Sequence, residues 1–204
     1  LARRGYRILG STVENIDRAE ERGTFDRVLQ ELGAKRPRGG GATNLEQVGQ
    51  VSREIGFPLV VRPSYVLGGR AMDIVYEEKE LEVVSKRALS ASSDQEIWMD
   101  QYLLGKEVEV DAIADGEKVF IPGIMEHLER AGVHSGDSIA VYPPQTLDAS
   151  MQERIIALTE SLARSLEIKG LLNIQYVMYR GELYVLEVTP RSSRTVPFLS
   201  KIAG

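Results

Sequence analysis

Glu107-Val108-Glu109-Val110-Asp111-Ala112-Ile113 alternates strictly between charged and apolar side chains. A strand turns successive residues to opposite faces, so Glu107, Glu109 and Asp111 share one face while Val108, Val110 and Ala112 share the other. The apolar row calls for a core. The carboxylate row is either solvated, the ordinary outcome for charged groups, or looks into a site containing metal, sugar hydroxyls or arginines, because unpaired carboxylates are costly to bury. Asp115-Gly116 supplies a hairpin turn, and Lys118 to Ile121 follows as the next strand. Ile97 to Tyr102 is a further strand on the near side.

Outward from this stretch the chain alternates helical and extended patterns. The spacing of Phe25, Val28, Leu29 and Leu32 predicts one helix from Asn15 to Leu32, opened by the capping-box spacing of Ser11 and Glu14 and stopped at Gly33. Lys35 to Gly41 reads as a basic, glycine-ended loop. Thr43 and Glu46 mark a second capping box ahead of a helix that ends near Gly56. Pro58 to Arg62 and Ala71 to Tyr76 form a hairpin around a turn, and a helix runs from Glu78 to Leu89. A long helix from Ala149 to Leu166 precedes two strands, Leu172 to Tyr179 and Leu183 to Val188, joined through Arg180-Gly181-Glu182. Helices beside antiparallel strands make the class α+β.

The 204 residues allow one substantial core or two small ones, with a formal net charge of -5 and 25 Lys and Arg against 30 Asp and Glu. That balance gives no basic field for a nucleic-acid backbone. There is no cysteine, which removes disulfides, thiolate nucleophiles and cysteine-ligated zinc. Without an apolar run of membrane length or a signal-peptide core, the chain reads as cytoplasmic, with no membrane partner. Leu1 at the start and Lys201-Ile202-Ala203-Gly204 at the end suggest a piece of a longer protein.

Four features could carry chemistry. Between Arg62 and Arg70, adjacent Gly68 and Gly69 could present backbone amides to phosphate oxygens, although a plain glycine-bearing hairpin explains the pattern as well. The carboxylate face of Glu107 is the second. The third is the last pair of strands: alternation sets Asn173, Gln175 and Val177 on one face, and Leu183, Val185, Glu187 and Thr189 on one face of the neighbour. Gln175 and Glu187 are polar intruders there, suited to magnesium as oxygen donors or else joined in a buried hydrogen-bond network. Last, Gly132 to Ser138 is a polar loop holding His134, a candidate ligand contact, whereas His127 could simply pack beside Met125. Neither histidine makes a zinc site alone.

Val61-Arg62-Pro63-Ser64-Tyr65-Val66-Leu67-Gly68-Gly69-Arg70-Ala71-Met72, Gly123 to His127, Ala131 to Ser138, and Pro190-Arg191-Ser192-Ser193-Arg194-Thr195-Val196-Pro197-Phe198 resemble, in this order, the carbamoyl phosphate synthase large-subunit family. The Ser64 to Met72 wording is similar to its C-terminal synthetase half, which phosphorylates carbamate. The resemblance implies the ATP-grasp fold, two α+β modules with nucleotide between them: residues 1–14 a remnant of a preceding domain and linker, 15–93 the lid module, and 94–204 the base module, incomplete at its C-terminal end. It implies ATP with magnesium or manganese as cofactors. Arg62, Gly68 and Gly69 would contact phosphates, Gln101 and Leu103 would form the adenine hinge with Leu103 acting through its backbone, and Glu107 would hold the ribose. His134 and Ser135 would line the pocket, Gln175, Glu187 and Thr189 would ligate metal, and Arg191 and Arg194 would stabilise the transferring phosphate or the substrate.

Two departures bear on turnover: Thr189 stands where the family usually has Asn, and Thr24 where a basic residue commonly precedes Phe25. The implied partners are the remainder of the large subunit, a glutaminase subunit or domain supplying ammonia, and carbamate as substrate, in arginine or pyrimidine biosynthesis. A noncatalytic nucleotide-binding or assembly module, and another ATP-grasp carboxylate ligase of the biotin carboxylase or purine-synthesis kind, are the alternatives.

Overall fold

The computed structural model describes residues 4–6, 9–63, 72–92, 96–132 and 138–203, and these cluster into two compact units, 37–104 and the pair of segments 1–36 with 105–204. This division differs from the 15–93 and 94–204 drawn from the sequence. Residues 13–36 fold with the later segment because Ala19, Phe25, Val28 and Leu29 are buried in its core.

The 37–104 unit is a four-stranded antiparallel sheet of order β1-β4-β2-β3, from β1 (Gly39–Ala42), β2 (Leu59–Pro63), β3 (Asp73–Val75) and β4 (Ile97–Gln101). Two helices, α3 (Leu45–Ile55) and α4 (Glu78–Ala91), bury Val48, Ile55, Leu81 and Ala88 against Leu59, Val61, Ile97 and Met99. Asn44, not Thr43, caps α3, accepting from Gln47 N, and Gly56 ends it as expected. β1 replaces the expected loop. Its glycines let β1 approach β4 closely: a Cβ on Gly39 would stand 2.2 Å from Asp100 Oδ1 and 2.9 Å from Met99 O.

In the other unit the expected single helix is broken into α1 (Val13–Glu20) and α2 (Arg22–Glu31). Glu21 makes the break by capping α2, its carboxylate accepting from Gly23 N and Thr24 N. Thr12 caps α1, while Ser11 instead pairs its hydroxyl with the backbone of Lys169. The sheet has order β7-β6-β5-β8-β9, from β5 (Lys106–Asp115), β6 (Val119–Arg130), β7 (Ala140–Val141), β8 (Lys169–Tyr179) and β9 (Glu182–Thr189). The turn from β8 to β9 places Arg180 and Gly181 at φ 52° and 78°, the left-handed pair that a tight two-residue hairpin needs.

One face of this sheet, carrying Val108, Val110, Ala112, Ile124, Leu172, Ile174 and Tyr176, packs on α5 (Ala149–Ser165) through Ile155, Leu162 and Ala163, and on α2 through Val28 and Leu29. A bulge on β9 corrects the expected face of that strand. Gln175 pairs with Glu187 but Tyr176 with Val185, which leaves Leu186 extra. Leu183, Val185 and Val188 therefore share the apolar core, and Glu187 and Thr189 turn to the opposite side. Helix α6 (Val196–Ile202) follows β9 and lies along β6.

Candidate functional site

Residues paired across an antiparallel ladder point to the same side, so register assembles the second face of the five-stranded sheet. Asp111 faces Asn173, Glu109 faces Gln175 and Glu107 faces Val177, while Asn173 and Gln175 face Thr189 and Glu187 on β9. His127 on β6 joins them. The carboxylate row is not solvated: Glu107, Glu109 and Asp111 are 4%, 3% and 3% exposed, and His127 is 2% exposed.

Burial of this kind needs partners, and they are present. Glu109 Oε1 accepts from Asn173 Nδ2 at 2.7 Å, and Glu109 Oε2 lies 3.1 Å from His127 Nε2. Asp111 Oδ1 accepts from Asn173 Nδ2 at 2.9 Å and from Ser193 Oγ at 2.7 Å, and Asp111 Oδ2 accepts from Thr195 Oγ1 at 2.6 Å. His127 Nδ1 is 3.2 Å from Ser138 Oγ and 3.7 Å from Glu107 Oε1. Burial drives the Glu107 carboxyl above its ordinary value, against the opposing pull of His127. Burial acts on Glu109 the same way, but the bonds from His127, Asn173 and Thr195 outweigh it and hold that carboxyl below its ordinary value. The imidazole is penalised by burial, yet Glu109 and Glu107 raise its pKa. The two carboxylates thus favour the charged form of the imidazole, against the burial that opposes it.

At the open end of the face the character changes. Glu187 is exposed, Gln175 and Thr189 are half-buried, and Thr189 Oγ1 donates to Glu187 Oε1 at 3.1 Å. The buried network is thus made by Glu109, Asp111, His127 and Asn173, while Gln175 and Glu187 stand beside it and are less buried. Amide, carboxylate and hydroxyl oxygens are the donor chemistry that magnesium takes. Among the described residues no group of three His, Asp or Glu could hold a metal ion by itself. A site on Gln175 and Glu187 therefore fits an ion whose remaining ligands are phosphate oxygens and water. Arg191 and Arg194 follow β9 directly and are exposed, with Arg191 Nη1 donating to Ser192 O.

The register brings Glu107, Gln175, Glu187 and Thr189 onto this face, with Arg191 and Arg194 in the segment that continues from it. Arg62, Gln101 and Leu103 belong to the 37–104 unit. Arg62 Nη2 is 3.6 Å from Asp100 Oδ2, whose Oδ1 accepts from Trp98 Nε1 at 2.8 Å. Gln101 ends β4 half-buried, its N–H donating to Arg38 O, and the Leu103 side chain is buried. Gly68, Gly69, His134 and Ser135 lie outside the described residues. Sequence reasoning gave no role to the Ser193 and Thr195 hydroxyls, read His127 as packing beside Met125, and left open whether the face of Asp111 was solvated. Alternation already put Asp111 beside Glu109, but no local pattern ties it to two hydroxyls more than eighty residues later.

The family described as carbamoyl-phosphate synthase L chain, ATP binding domain, matches residues 21–204. Among solved structures, a biotin carboxylase in a β-γ-ATP complex from Campylobacter jejuni superposes with a TM-score of 0.84 at 22% identity, over 98% of this chain and 46% of that one. D-alanyl-alanine synthetase A from Vibrio cholerae gives 0.81 at 17% identity, over 98% of this chain and 65% of its own. A D-alanine–D-alanine ligase from Bacillus anthracis complexed with ATP gives 0.74 at 21% identity, over 96% and 63%. The fold is the ATP-grasp fold, and the chain spans less than half of that biotin carboxylase. No helix among the described residues is long and apolar enough to cross a membrane.

Proposed function

The chain belongs to the family of the carbamoyl-phosphate synthase L chain ATP-binding domain, and we propose that it is the Mg-ATP-dependent, carbamate-phosphorylating part of a larger synthase. The observation that carries the reading is the ladder position of Gln175, half-buried, opposite the exposed Glu187, on a strand that runs directly into Arg191 and Arg194. Carbamate, rather than another carboxylate, is favoured by the four ordered stretches from Val61 to Phe198.

In this reading a carbamate oxygen attacks the γ-phosphorus of ATP, the bond to the bridging oxygen breaks, and ADP leaves with that electron pair. Phosphoryl transfer asks the protein for placement and charge rather than covalent chemistry. Arg191 and Arg194 would neutralise the oxygens of the transferring group. Glu107 would accept from ribose hydroxyls, and Arg62, Gly68 and Gly69 would hold phosphates, with Gln101 and the Leu103 backbone at the adenine. By the resemblance, His134 and Ser135 would contact the nucleotide as well.

Magnesium, or manganese, would be held by Gln175 and Glu187 and would draw charge from the phosphate oxygens. Thr189 gives its hydroxyl proton to Glu187, and so would orient that carboxylate toward the ion. Ammonia would come from a glutaminase partner and carbamate from the remainder of the large subunit, in the cytoplasm.

The test is the reverse reaction in the larger protein: ATP formed from ADP and carbamoyl phosphate with magnesium. Its absence in a folded protein sinks the reading. ATP cleavage that instead depends on a different carboxylate would move the chain to another ligase of the same fold.

A further inference from the structure

Ser193 and Thr195 flank Arg194, and both hydroxyls end on the same carboxylate. Ser193 Oγ donates to Asp111 Oδ1 at 2.7 Å and Thr195 Oγ1 to Asp111 Oδ2 at 2.6 Å. Each hydroxyl has one proton, which Ser193 and Thr195 can share among Asp111, Glu109 and each other. Asn173 Nδ2 spends its own two protons on Asp111 Oδ1 and Glu109 Oε1. The two hydroxyl oxygens lie 2.6 Å apart, Thr195 Oγ1 also approaches Glu109 Oε1 at 3.1 Å, and Thr195 N donates to Ser193 Oγ at 3.1 Å.

Strand β5 does not need this carboxylate for its own pairing, because β6 and β8 satisfy its backbone on either side. A carboxylate 3% exposed on a central strand costs desolvation, and what that cost supports is a clamp on the backbone before and after Arg194. Arg194 itself is exposed.

We propose that Asp111 is a positioning residue for Arg194: by gripping Ser193 and Thr195 it sets where that guanidinium stands relative to the phosphoryl group. The inference rests on the proposed role of Arg194 in phosphoryl transfer. Glu109 assists through Asn173, and neither carboxylate touches the reacting atoms. A loop carrying a charge that must meet a transferring group gains by being held in advance, since small displacements cost large factors in rate.

Trypsin tests the clamp without activity, by native-state cleavage of the Arg194–Thr195 bond in the larger protein, read by peptide mass. Thr195→Val and Asp111→Asn should raise the cleavage rate on the order of tenfold, while Thr195→Ser, which keeps the hydroxyl, should stay within about twofold of the unsubstituted protein. The Val and Ser pair decides the matter even if Asp111→Asn does not fold. In the reverse reaction, Thr195→Val and Asp111→Asn should lower kcat about tenfold and leave the KM for ADP within about twofold, the signature of lost placement rather than lost binding. With Arg194→Ala already made, Thr195→Val should cost less than about twofold more, because its effect runs through the missing side chain.

Cleavage at the unsubstituted rate in Thr195→Val overturns the clamp. Losses that multiply with Arg194→Ala overturn the link to Arg194. If the unsubstituted protein forms no ATP, the proposed function falls, and with it the phosphoryl role of Arg194; the cleavage rates then still decide whether Asp111 holds the loop.

Discussion

Val108 and Glu109 are neighbours on one strand and equally withdrawn from solvent, at 0% and 3% exposure, yet the faces they belong to are held by different physics. On the Val108 side, aliphatic side chains meet α2 and α5, and each buried methylene adds stability in proportion to area. On the Glu109 side, carboxylates, an imidazole, an amide and two hydroxyls are matched partner to partner, which offsets desolvation and leaves little net gain. The first face should govern how stable the unit is. The second should govern where its charged groups stand.

The largest effect is expected on the apolar face. Ile155→Ala on α5, fully buried under the sheet, should cost about 3 kcal/mol in urea unfolding, from lost transfer energy plus a cavity. A cost below about 1 kcal/mol would mean that the helical layer is not what stabilises this sheet.

Next comes a carboxylate on the apolar side of the register, Glu126, opposite Val108 and 2% exposed. Burial would raise its pKa, but Lys106 Nζ at 2.6 Å, Thr146, and the backbone N–H groups of Thr146 and Gln145 pull it down from 4.5 to about 2. A depressed carboxylate contributes stability that is complete above pH 4.5 and is lost as pH falls toward 2. The loss should approach roughly 3 kcal/mol, followed as an acid shift in the urea midpoint, and Glu126→Gln should flatten that limb.

Tyr176→Phe removes the 2.8 Å bond with Thr159 Oγ1, between two side chains that are both fully buried, and should cost about 1 kcal/mol with no change in pH dependence near neutrality.

The smallest effect belongs to the polar face. The raised pKa of His127 means that its contribution is complete below pH 6.5 and fades as pH climbs through the folded value. The Tm should therefore decline modestly on the alkaline side of neutrality, and His127→Gln should remove the decline. A steep alkaline loss that survives His127→Gln would place the titrating group elsewhere.

The same contrast explains what could be read in the sequence. α5, the β8–β9 hairpin and the alternation of β5 are carried by side-chain period and turn residues, and all three stand where the spacing put them. Period is silent about burial on the charged side: Glu107, Glu109 and Asp111 read the same whether water or Asn173, Ser193 and Thr195 receives them. The strand Gly39–Ala42 was invisible because glycine has no side chain to alternate, and what calls for glycine there is the closeness of Asp100 and Met99 on β4. The break between α1 and α2 lay within a continuous apolar pattern, and only the Glu21 carboxylate on Gly23 and Thr24 creates it.

The bulge at Leu186 was equally silent. A one-residue insertion keeps the apolar count of β9 while moving Glu187 and Thr189 to the other face, so Gln175 and Glu187 were correctly paired for a reason that alternation alone did not supply.

If the polar face positions charge for a metal-bound nucleotide, as proposed, and contributes little to stability, Glu187→Gln separates the two roles. Glu187 is exposed and bonded only locally to Thr189 among its described hydrogen bonds, so the substitution should move Tm by no more than about 2 °C. ATP affinity measured with magnesium should fall about tenfold, while affinity measured without magnesium stays unchanged. Equal magnesium dependence in the substituted and unsubstituted proteins, with both fully folded, would contradict the account.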